Sequence, residues 1–434
     1  MKTITQYLIP FLLILSIQIL SSKEVQAQTD IRISGAQSGF PVAIPQMCNS
    51  GNAADPAVKI AETISRDLQI SGLFKVLNPA SFVETPGKCG GPESFAYSDW
   101  TVIGAEGVVK GDIKSVGGNL QADLYLYDAL QQKAVIGKRY SAPENEYHKI
   151  AHKFANEILF YFTGEHGVFG TQIAYVSAVN RFKELFVMDI DGENNKQLTS
   201  DRGLVFSPSW NPNGDKLIYT SYASRSPELY VTSPIGGKPS RITKRPGLEI
   251  GAKFSKDGSK VLSSASFDGV SKIVMFDLRG QLLSTLAQSG SIDVSPTYSP
   301  DGSQIAFCSN RGGGPQVYVM GSNGGAAKRI SFADSNYCTS PAWSPKGDKV
   351  AYVCRNAGFQ IFMSDPNGGA AIQLTFNGDN EDPSWSPDGR FLAFSSTTLG
   401  GPKSIGILSL LGGKPTKVSN GAVSSQPAWS PMEK

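Results

Sequence analysis

The sequence has no long hydrophobic run after its first residues, no excess of one charge, and only three histidines. Lys and Arg number 40 against 37 Asp and Glu, and no basic cluster is interleaved with aromatic residues. The composition therefore gives no reason to expect nucleic-acid binding. No later segment reaches the roughly 20 apolar residues that a membrane-spanning helix needs. With 40% hydrophobic residues in a chain of 434, a sizeable core is nevertheless expected.

The common catalytic signatures are missing as well. There is no G-x-S-x-G nucleophile elbow, no P-loop and no dinucleotide-binding fingerprint. His148 and His152 have a metal-compatible spacing, but the glutamate of a zinc protease motif is absent between them, so a solvated helix face is the favoured interpretation. The segment DIDGENN from Asp189 lacks the closing glutamate of a calcium loop and predicts a hairpin turn. No catalytic residue and no metal ligand is assigned, and the chain is not predicted to be an enzyme.

The first residues have the pattern of an export signal. Lys2 precedes an apolar run from Leu8 to Leu20, and Val25-Gln26-Ala27 reads as a small-x-small cleavage site. We expect a signal peptide over residues 1–27, with an uncleaved anchor as the alternative. The mature chain is expected to be exported and to begin near Gln28.

The cysteine count is odd, at five. Export permits disulfides, but one thiol must stay free or pair outside the chain. The two cysteines in the N-terminal region, Cys48 and Cys89, form one candidate pair. Cys338 and Cys354 flank a predicted hairpin at nearly equal distances from its turn and form the other. Buried free thiols are an equally good interpretation of all four.

An octet built on proline, an aromatic residue and glycine recurs along the chain. It reads PSWNPNGD from Pro208, PTYSPDGS from Pro296, PAWSPKGD from Pro341, PSWSPDGR from Pro383 and PAWSPMEK from Pro427. Aligned on its aromatic position, it repeats every 42 to 45 residues, at Trp210, Phe254, Tyr298, Trp343, Trp385 and Trp429. A period of about 40 to 50 residues is typical of the blades of a β-propeller.

Each period holds the signals of four strands. The Ser-Pro-Asp-Gly turn is followed by a β-rich run, and later by a strand, a glycine turn and a strand. In that turn proline presets φ, aspartate bonds the backbone and glycine adopts the left-handed geometry. Asp301 and Asp388 are therefore interpreted as turn residues rather than as metal ligands or acids. The aromatic residue is predicted to pack between neighbouring blades.

The two ends of the repeat are complementary. The period that starts at Ile173 lacks its octet, and the octet at Pro427 lacks its period. Joined, they make one blade with one strand from the C-terminal segment and three from Ile173 onward. A closed ring of six blades follows, which removes the exposed sheet edges that would recruit other chains.

Residues 28–165 lack the repeat and predict a small α/β domain with a mostly antiparallel sheet. Asp55-Pro56 looks like the start of a helix that ends at Gly72, and a second helix is predicted from about Glu146 to Gly164. Strands are predicted near 107–113, 120–127 and 134–140. Residues 165–170 are the expected hinge into the propeller, residues 166–434.

Acidic residues precede several of the octet strands. In a propeller these loops converge on one face around the central channel. The carboxylates could hold a cation in that channel or receive a basic partner, with ordinary solvated loops as the alternative; they are Asp201, Glu249, Asp293, Asp334, Asp379, Glu381 and Asp382. Aromatic and apolar residues in equivalent loops make the face a predicted protein-docking surface; they are Phe206, Leu248, Ile250, Val294 and Tyr337. No cofactor is assigned beyond a possible channel cation.

Several segments resemble the TolB family of periplasmic proteins. The repeated P-x-W-S-P-D-G is similar to the propeller repeat of that family, and GEHGVFGTQIAYVS at 164–177 resembles its domain junction. RDLQISGLFKVLN at 66–78 and GAEGVVKGDI at 104–113 resemble its N-terminal domain. The resemblance covers the mature chain in order, and it implies a non-enzymatic component of the Tol–Pal envelope system.

The resemblance also implies partners. In the family the propeller binds Pal, a peptidoglycan-associated outer-membrane lipoprotein, and the mature N-terminus engages the inner-membrane protein TolA. By position, the Pal-facing loops would include Leu248, Glu249, Val294 and Ser295, and Leu248 stands where the family has a histidine. The TolA-binding segment would lie within residues 28–35 and include Thr29, Asp30, Ile31, Arg32 and Ile33. Because Ile31 and Ile33 alternate with polar residues, this segment can add as a strand to a partner or fold back on its own protein.

The sequence as a whole predicts two domains, a small N-terminal α/β domain and an all-β six-bladed propeller closed by N- and C-terminal strands. The expected function is that of a monomeric periplasmic scaffold, associated with the outer membrane through Pal, that supports outer-membrane integrity and invagination during cell division. The alternative is a propeller-based periplasmic enzyme or glycan-binding protein, because propellers often carry sites on the channel axis.

Overall fold

A computed structural model describes residues 39–83, 95–245, 247–267, 269–286 and 290–432. The predicted signal peptide, the segment Thr29–Ile33 and Cys89 lie outside these residues. The N-terminal part is a mixed sheet covered by helices, with strands in the order β3-β1-β4-β5-β6 and β2 paired to β4. Its elements are β1 (Phe40–Ala43), β2 (Cys48–Gly51), α1 (Ala54–Ser71), β3 (Phe74–Val76), α2 (Tyr97–Thr101), β4 (Gly107–Val116), β5 (Asn119–Asp128), β6 (Lys133–Pro143) and α3 (Tyr147–Thr163).

Both long helices occur where the apolar periodicity predicted them. They end as expected at Gly72 and Gly164, each with φ of 72°. The start of α1 differs from the prediction, because the helix begins at Ala54 and Asp55 lies in its first turn. Asn49 Oδ1 accepts a hydrogen bond from the backbone N–H of Ala53 at 2.7 Å, and this bond turns the chain into the helix before Asp55 is reached.

The sheet is only partly antiparallel. The three long strands β4, β5 and β6 pair antiparallel, as predicted. The short strands were not predicted: β1 pairs parallel with both β3 and β4, and β2 pairs parallel with β4. Segments of three or four residues are too short for an alternating pattern to distinguish them from loops, which is why sequence reasoning missed them.

The propeller has six blades of four antiparallel strands within the described residues, as the period predicted. β7 (Gln172–Val179), β8 (Phe182–Asp189) and β9 (Lys196–Gln197) belong to the last blade. The first three complete blades are β10–β13 (Val205–Trp210, Leu217–Ser221, Glu228–Thr232, Ser240–Arg241), β14–β17 (Glu249–Phe254, Lys260–Phe267, Val270–Asp277, Leu282–Thr285) and β18–β21 (Asp293–Tyr298, Gln304–Ser309, Gln316–Gly321, Lys328–Arg329). The next two are β22–β25 (Cys338–Trp343, Val350–Arg355, Phe359–Ser364, Ile372–Gln373) and β26–β29 (Asn380–Trp385, Phe391–Ser396, Ser404–Ser409, Thr416–Lys417), and β30 (Ser424–Trp429) completes the sixth with β7–β9. We number the blades 1 to 6 in this order.

The ring closes through strands from distant parts of the chain. β30 pairs antiparallel with β7, and the register places Trp429 opposite Ile173 and Ala428 opposite Ala174. The closure predicted from the incomplete repeats is therefore confirmed. Because β30 is the inner strand of blade 6, the first and last parts of the propeller share one sheet.

The repeated aromatic residues and turns act as predicted. Trp210 and Trp385 each donate their indole N–H to a backbone carbonyl of the preceding blade, Ala428 at 2.8 Å and Ala342 at 2.9 Å. In the turn after β18, Asp301 accepts hydrogen bonds from the Ser299 hydroxyl at 2.5 Å and from the Ser303 N–H at 3.1 Å. These bonds lower the pKa of Asp301 to about 2, as expected for a carboxylate that accepts several donors.

The N-terminal domain and the propeller share one hydrophobic core. The shared cluster joins side chains of α1 and α3, such as Ile64 and Phe154, to Ile173 of β7 and Phe391 of β27. Val168 and Phe169 of the connecting segment are buried in the same cluster. Residues 167–169 of the predicted hinge are thus packed against the shared core at the joint between the domains, whereas residues 165, 166 and 170 are exposed.

Polar contacts add to this joint. Arg390, in the turn after β26, donates from Nη2 to the His166 carbonyl at 2.5 Å and pairs with Asp388 at 2.7 Å. Ser409 Oγ, at the end of β28, donates to the Ser71 carbonyl at 2.6 Å. His152 faces this joint with only 3% of its surface exposed, so the prediction that it lies on a solvated helix face is wrong. α3 packs on α1, β5 and β6, and His152 is buried where Asp67 of α1 and Asp189 of blade 6 approach it, which the helical periodicity alone does not reveal.

The described cysteines include both disulfide-bonded residues and a free thiol. Cys338 and Cys354 face each other in the register of β22 and β23 and form a disulfide with an S–S distance of 2.07 Å. Cys48 is disulfide-bonded, and its predicted partner Cys89 lies outside the described residues. Cys308 is a buried free thiol. Among the described helices, none is both long and apolar enough to cross a membrane.

Candidate functional site

The inner strand of each blade carries the same backbone irregularity near its start. The pairing register shifts there in all six blades. At the shift, one residue per blade has a positive φ of 52° to 73°; these residues are Ser207, Gly251, Ser295, Ser340, Asp382 and Gln426. Such bulges bend a strand and redirect its side chains, and residues in this region of φ are concentrated at functional sites. The bulges surround one mouth of the central channel.

Side chains from neighbouring blades hold the bulges in place. Gln426 Oε1 accepts a hydrogen bond from the Ser207 N–H at 2.8 Å, so blade 6 supports the bulge of blade 1. Ser264 Oγ accepts from the Ser295 N–H, and Ser395 Oγ from the Gln426 N–H, both at 2.9 Å. The mouth is therefore a preformed surface rather than a set of independent loops.

A ring of apolar side chains surrounds this mouth, one residue before each inner strand. We call these residues the collar: Leu204, Leu248, Ile292, Tyr337, Asp379 and Val423. In each blade the carbonyl of the collar residue accepts a backbone hydrogen bond, at 2.8 to 3.3 Å, from a residue at the end of the second strand or just beyond it. Five of the six are apolar, and four are clearly exposed: Leu204 by 40%, Ile292 by 50%, Tyr337 by 37% and Val423 by 48%.

The collar lies at the end of the propeller away from the N-terminal domain. The inner strand β26 runs from Asn380, next to the collar, to Trp385. The turn that follows Trp385 contains Arg390, which contacts the N-terminal domain through Thr163 and His166. The collar face is thus open to a partner.

Two cavities occupy the channel. One, of about 120 Å³, is lined by the bulge residues and by five prolines of the octets; the other, of about 390 Å³, is lined by octet aromatics and prolines toward the opposite end. Lys253 lines both, and in the part of the chain that the structure describes Asp382 is the only other charged side chain in either lining. Burial lowers the pKa of Lys253 to about 8. A lysine at this position opposes a cation in the channel and favours an approaching anion.

Two of the predicted acidic residues are buried within their blades. Asp293 is fully buried and pairs with Arg311 at 3.1 Å. Glu249 is 3% exposed, and burial raises its pKa. Both occupy the first position of an inner strand, and there the side chain is buried. They support the mouth from inside instead of presenting carboxylates to a partner.

Three of the remaining predicted acids already have hydrogen-bond or ion-pair partners, whereas Asp334 is exposed. Asp201 accepts a hydrogen bond from Ser221 Oγ at 3.0 Å, and Glu381 pairs with Lys403. Asp382 lines the mouth, accepts from Ser395 Oγ at 2.9 Å and has a pKa raised by burial. The structure therefore does not bring the seven carboxylates together as one site.

The other predicted residues of the face lie around the mouth. Phe206 and Val294 follow the first strand residue of their blades and are half-buried, and Ser295 is a bulge residue. The Lys183 Nζ atom lies 5.1 Å from the centre of the Phe206 ring. Leu248 and Tyr337 belong to the collar. The N-terminal residues Thr29 to Ile33 lie outside the described residues.

Sequence reasoning missed Leu204, Ile292, Val423 and Lys253. The signal was present, because Leu204, Ile292 and Val423 each stand six positions before an octet aromatic. The sequence prediction relied on the acidic residues of these loops, but the collar is formed by the position that recurs as apolar.

Comparison with known proteins agrees with this architecture. The sequence model of the TolB beta propeller domain matches residues 161–433, and that of the TolB amino-terminal domain matches residues 29–135. The chain belongs to the TolB family. The fold predicted from the repeat, with its N-terminal α/β domain, is the fold of this family.

Individual TolB proteins are similar over large parts of the chain. The Tol-Pal system protein TolB of Syntrophotalea carbinolica is 36% identical over 46% of this chain and 47% of its own length, and that of Anaeromyxobacter dehalogenans is 34% identical over 40% of each. These alignments span less than half the length of the curated relatives. The crystal structure of TolB from Acinetobacter baumannii superimposes with a TM-score of 0.78 at 28% identity, and it covers 91% of this chain and 97% of that one.

Proposed function

We infer that the chain is a non-enzymatic periplasmic scaffold of the Tol–Pal system, which binds the lipoprotein Pal on the collar face and TolA through residues 28–35. The similarity to Tol-Pal system proteins TolB supports the assignment to this system, and the exposed apolar collar supports a protein-docking role for this face. In this proposal the scaffold associates with the outer membrane through Pal and acts in outer-membrane integrity and invagination during cell division.

Apolar side chains are exposed at equivalent positions in several blades, one residue before the inner strand, and this repetition supports the docking proposal. Scattered exposed apolar residues are ordinary, but a contiguous apolar ring bordered by charges is typical of a protein interface. Leu204, Ile292 and Val423 retain 40% to 50% exposure although they lie next to fully buried strand residues. A partner that covers them completes their burial.

The charges around the collar give the interface its rim. Glu381 with Lys403 and the exposed Asp334 lie among the loops of the same face. Lys253 at the base of the mouth favours a partner that directs an acidic or other electron-rich group into the channel. A partner with an apolar rim and such a central group fits this surface better than a purely basic partner.

The contribution of one collar residue to the binding free energy can be estimated from its exposed area. Fully burying an aliphatic side chain contributes about 1.5 to 3 kcal/mol, so completing the burial of a half-exposed one contributes about 1 kcal/mol. Truncating one collar residue to alanine should then weaken binding about fivefold. A carboxylate at the same position must also be desolvated, which weakens binding further.

The test is the affinity of the purified chain for the lipid-free soluble domain of Pal from the same organism. We expect the double variant Ile292→Asp with Val423→Asp to lose at least about a hundredfold in affinity, since two desolvated carboxylates replace two apolar contacts. The matched control is Ile235→Asp, because Ile235 is 82% exposed and lies in the turn between β12 and β13 at the other end of the strands.

The control variant should bind Pal as the parent chain does, and the thermal unfolding of both variants should match that of the parent. Equal loss of affinity in the control and collar variants, or no loss in either, would exclude the collar as the Pal site.

Deletion of residues 28–33 tests the second partner, TolA. It should abolish capture of TolA, and unchanged binding of both partners would exclude the N-terminal segment.

A further inference from the structure

Three metal-ligating side chains meet at the joint between the domains. His152 comes from α3, Asp189 ends β8, and Asp191 lies in the turn that follows. One ligand atom from each lies within 4.8 Å of the others, and all three residues are buried. The residues come from both domains, so the cluster exists only in the assembled chain.

The histidine ring is already oriented as in a metal site. Its Nδ1 lies 2.7 Å from Asp67 Oδ2, and Asp67 is fully buried. Its Nε2 has no hydrogen-bond partner among the described residues and lies 4.0 Å from Asp189 Oδ2. A carboxylate on one ring nitrogen fixes the tautomer and leaves the lone pair of the other nitrogen for a metal. In the same part of the chain, the second carboxylate oxygen of Asp67 also has no hydrogen-bond partner.

The cluster is rich in buried carboxylates. Asp67, Asp189 and Asp191 are buried, and among the described residues the cation that pairs with them besides His152 is Arg66, whose Nε lies 3.1 Å from Asp191 Oδ2. A metal ion on Nε2 requires the neutral form of His152, and in that form the three carboxylates exceed the guanidinium by two negative charges. One divalent ion balances this excess.

Hydrogen bonds hold the two aspartates without using up their oxygens. Asp189 accepts from the amides of Gln172 at 3.1 Å and Asn194 at 2.6 Å, and Asp191 accepts from the N–H of Glu193 at 3.2 Å. Each carboxylate oxygen has two lone pairs, so a metal can bind while these bonds persist. They are the kind of outer-shell contacts that orient metal ligands.

A cavity connects the cluster to its surroundings. It measures about 390 Å³ and is lined by His148, His152, Gln172 and Asp189 among others. His148 Nδ1 has no hydrogen-bond partner within the described ranges, and the centre of its ring lies 6.3 Å from that of His152. The cavity supplies both a path for an ion and room for a water molecule as a further ligand.

We propose that His152 Nε2, Asp189 and Asp191 bind one divalent transition-metal ion of the zinc class, and that this ion joins α3 to blade 6. Imidazole together with carboxylates suits zinc, whereas magnesium and calcium prefer oxygen ligands alone. Tetrahedral bonds of about 2.0 to 2.1 Å bring ligand atoms to about 3.3 Å from one another. The three groups therefore move inward on binding, and a water molecule from the cavity completes the site.

The experiment uses the full purified chain after removal of metals with a chelator. Zn²⁺ is titrated in competition with a chromophoric chelator, and Mg²⁺ and Ca²⁺ are titrated separately. One Zn²⁺ per chain should bind, and neither Mg²⁺ nor Ca²⁺ should compete at similar concentrations. Co²⁺ in place of Zn²⁺ should give the absorption bands of a tetrahedral site, which reports the geometry without any substitution.

Variants then locate the ion. Asp189→Asn and His152→Gln remove ligands, and Asp67→Asn, which only positions the ring, should weaken binding about 10- to 100-fold. The ligand variants should lose more than Asp67→Asn does. His166→Gln is the matched control, because His166 stacks on Phe160 outside the cluster, and it should bind as the parent chain does.

The readout that separates a metal site from a purely structural cluster is the effect of Zn²⁺ on stability. Zn²⁺ should raise the melting temperature of the parent chain and of His166→Gln but not that of Asp189→Asn. If the parent chain takes up no stoichiometric Zn²⁺, the cluster is an ion pair network completed by a proton, and the proposal is overturned. Unweakened binding in both ligand variants would overturn it equally.

Discussion

Trp429 gives a direct test of how the ring is closed. It is 6% exposed and stands opposite Ile173 in the seam between β30 and β7. Its indole N–H donates to Thr171 Oγ1 at 2.7 Å, and its ring centre lies 6.2 Å from that of Phe391. Replacing Trp429 with alanine removes the largest side chain of the seam.

The expected cost is that of deleting a buried tryptophan, about 3 to 5 kcal/mol in the free energy of unfolding. The lost hydrogen bond adds little beyond this, because the Thr171 hydroxyl still donates to the Val168 carbonyl at 2.6 Å. Trp429→Phe keeps a six-membered aromatic ring but loses the N–H donor together with part of the indole, so a smaller loss of about 1 to 3 kcal/mol is expected. The two variants together show how the stability of the seam depends on the size of this side chain.

The assay combines urea unfolding with hydrogen exchange measured on peptides. In Trp429→Ala, exchange in β30 and β7 should rise about a hundredfold or more before that in β18–β21 changes. Trp343→Ala is the matched control, since Trp343 is 8% exposed and bonds to Gly347 of its own blade. It should accelerate exchange in β22 and β23 instead. A loss below about 1 kcal/mol, or faster exchange spread evenly over all blades, would refute the idea that the seam is a separate closure.

Two further predictions concern the joint and the channel. Gly72 has φ of 72°, and an added Cβ would lie 1.9 Å from the carbonyl oxygen of Gly412. Gly72→Ala should therefore lower the melting temperature more than Gly164→Ala, because Gly164 has the same φ but open space around it. Equal decreases in melting temperature would show that backbone strain, and not the contact with Gly412, causes the destabilisation. Lys253 has a pKa lowered by burial from 10.5 to about 8, so between these values the unfolded chain holds a proton that the folded chain has lost, and stability should rise with pH across that window. Urea unfolding at the two ends of the window should show this rise in the parent chain and not in Lys253→Met, and the same slope in both would contradict it.

The blades could be predicted because each depends on neighbouring residues. Proline, aspartate and glycine in one turn specify a hairpin whatever lies elsewhere, and the octet repeats this information at a constant period. The pairing of the Trp429 strand with the Ile173 strand could be predicted from the same alignment, because one repeat is divided between the first and last parts of the propeller. The two long helices were equally readable from their apolar stripes and terminal glycines.

The candidate site was predicted less completely. The loops before the inner strands were identified correctly as one face, but the sequence does not show which way a side chain points at the start of a strand. Glu249 and Asp293 are buried, whereas Ile292, one position before Asp293, is half exposed. One residue of register separates a buried side chain from an exposed one.

The sequence by itself determined the number of blades, their strands and turns, and the strand that closes the ring, since these depend on local backbone preferences repeated along the chain. Only the tertiary structure decided that the N-terminal helices share one core with the propeller and that His152 lies buried beside Asp67, Asp189 and Asp191. These features arise from residues far apart in sequence, whose burial is set by the packing of one domain on another and leaves no periodic signal.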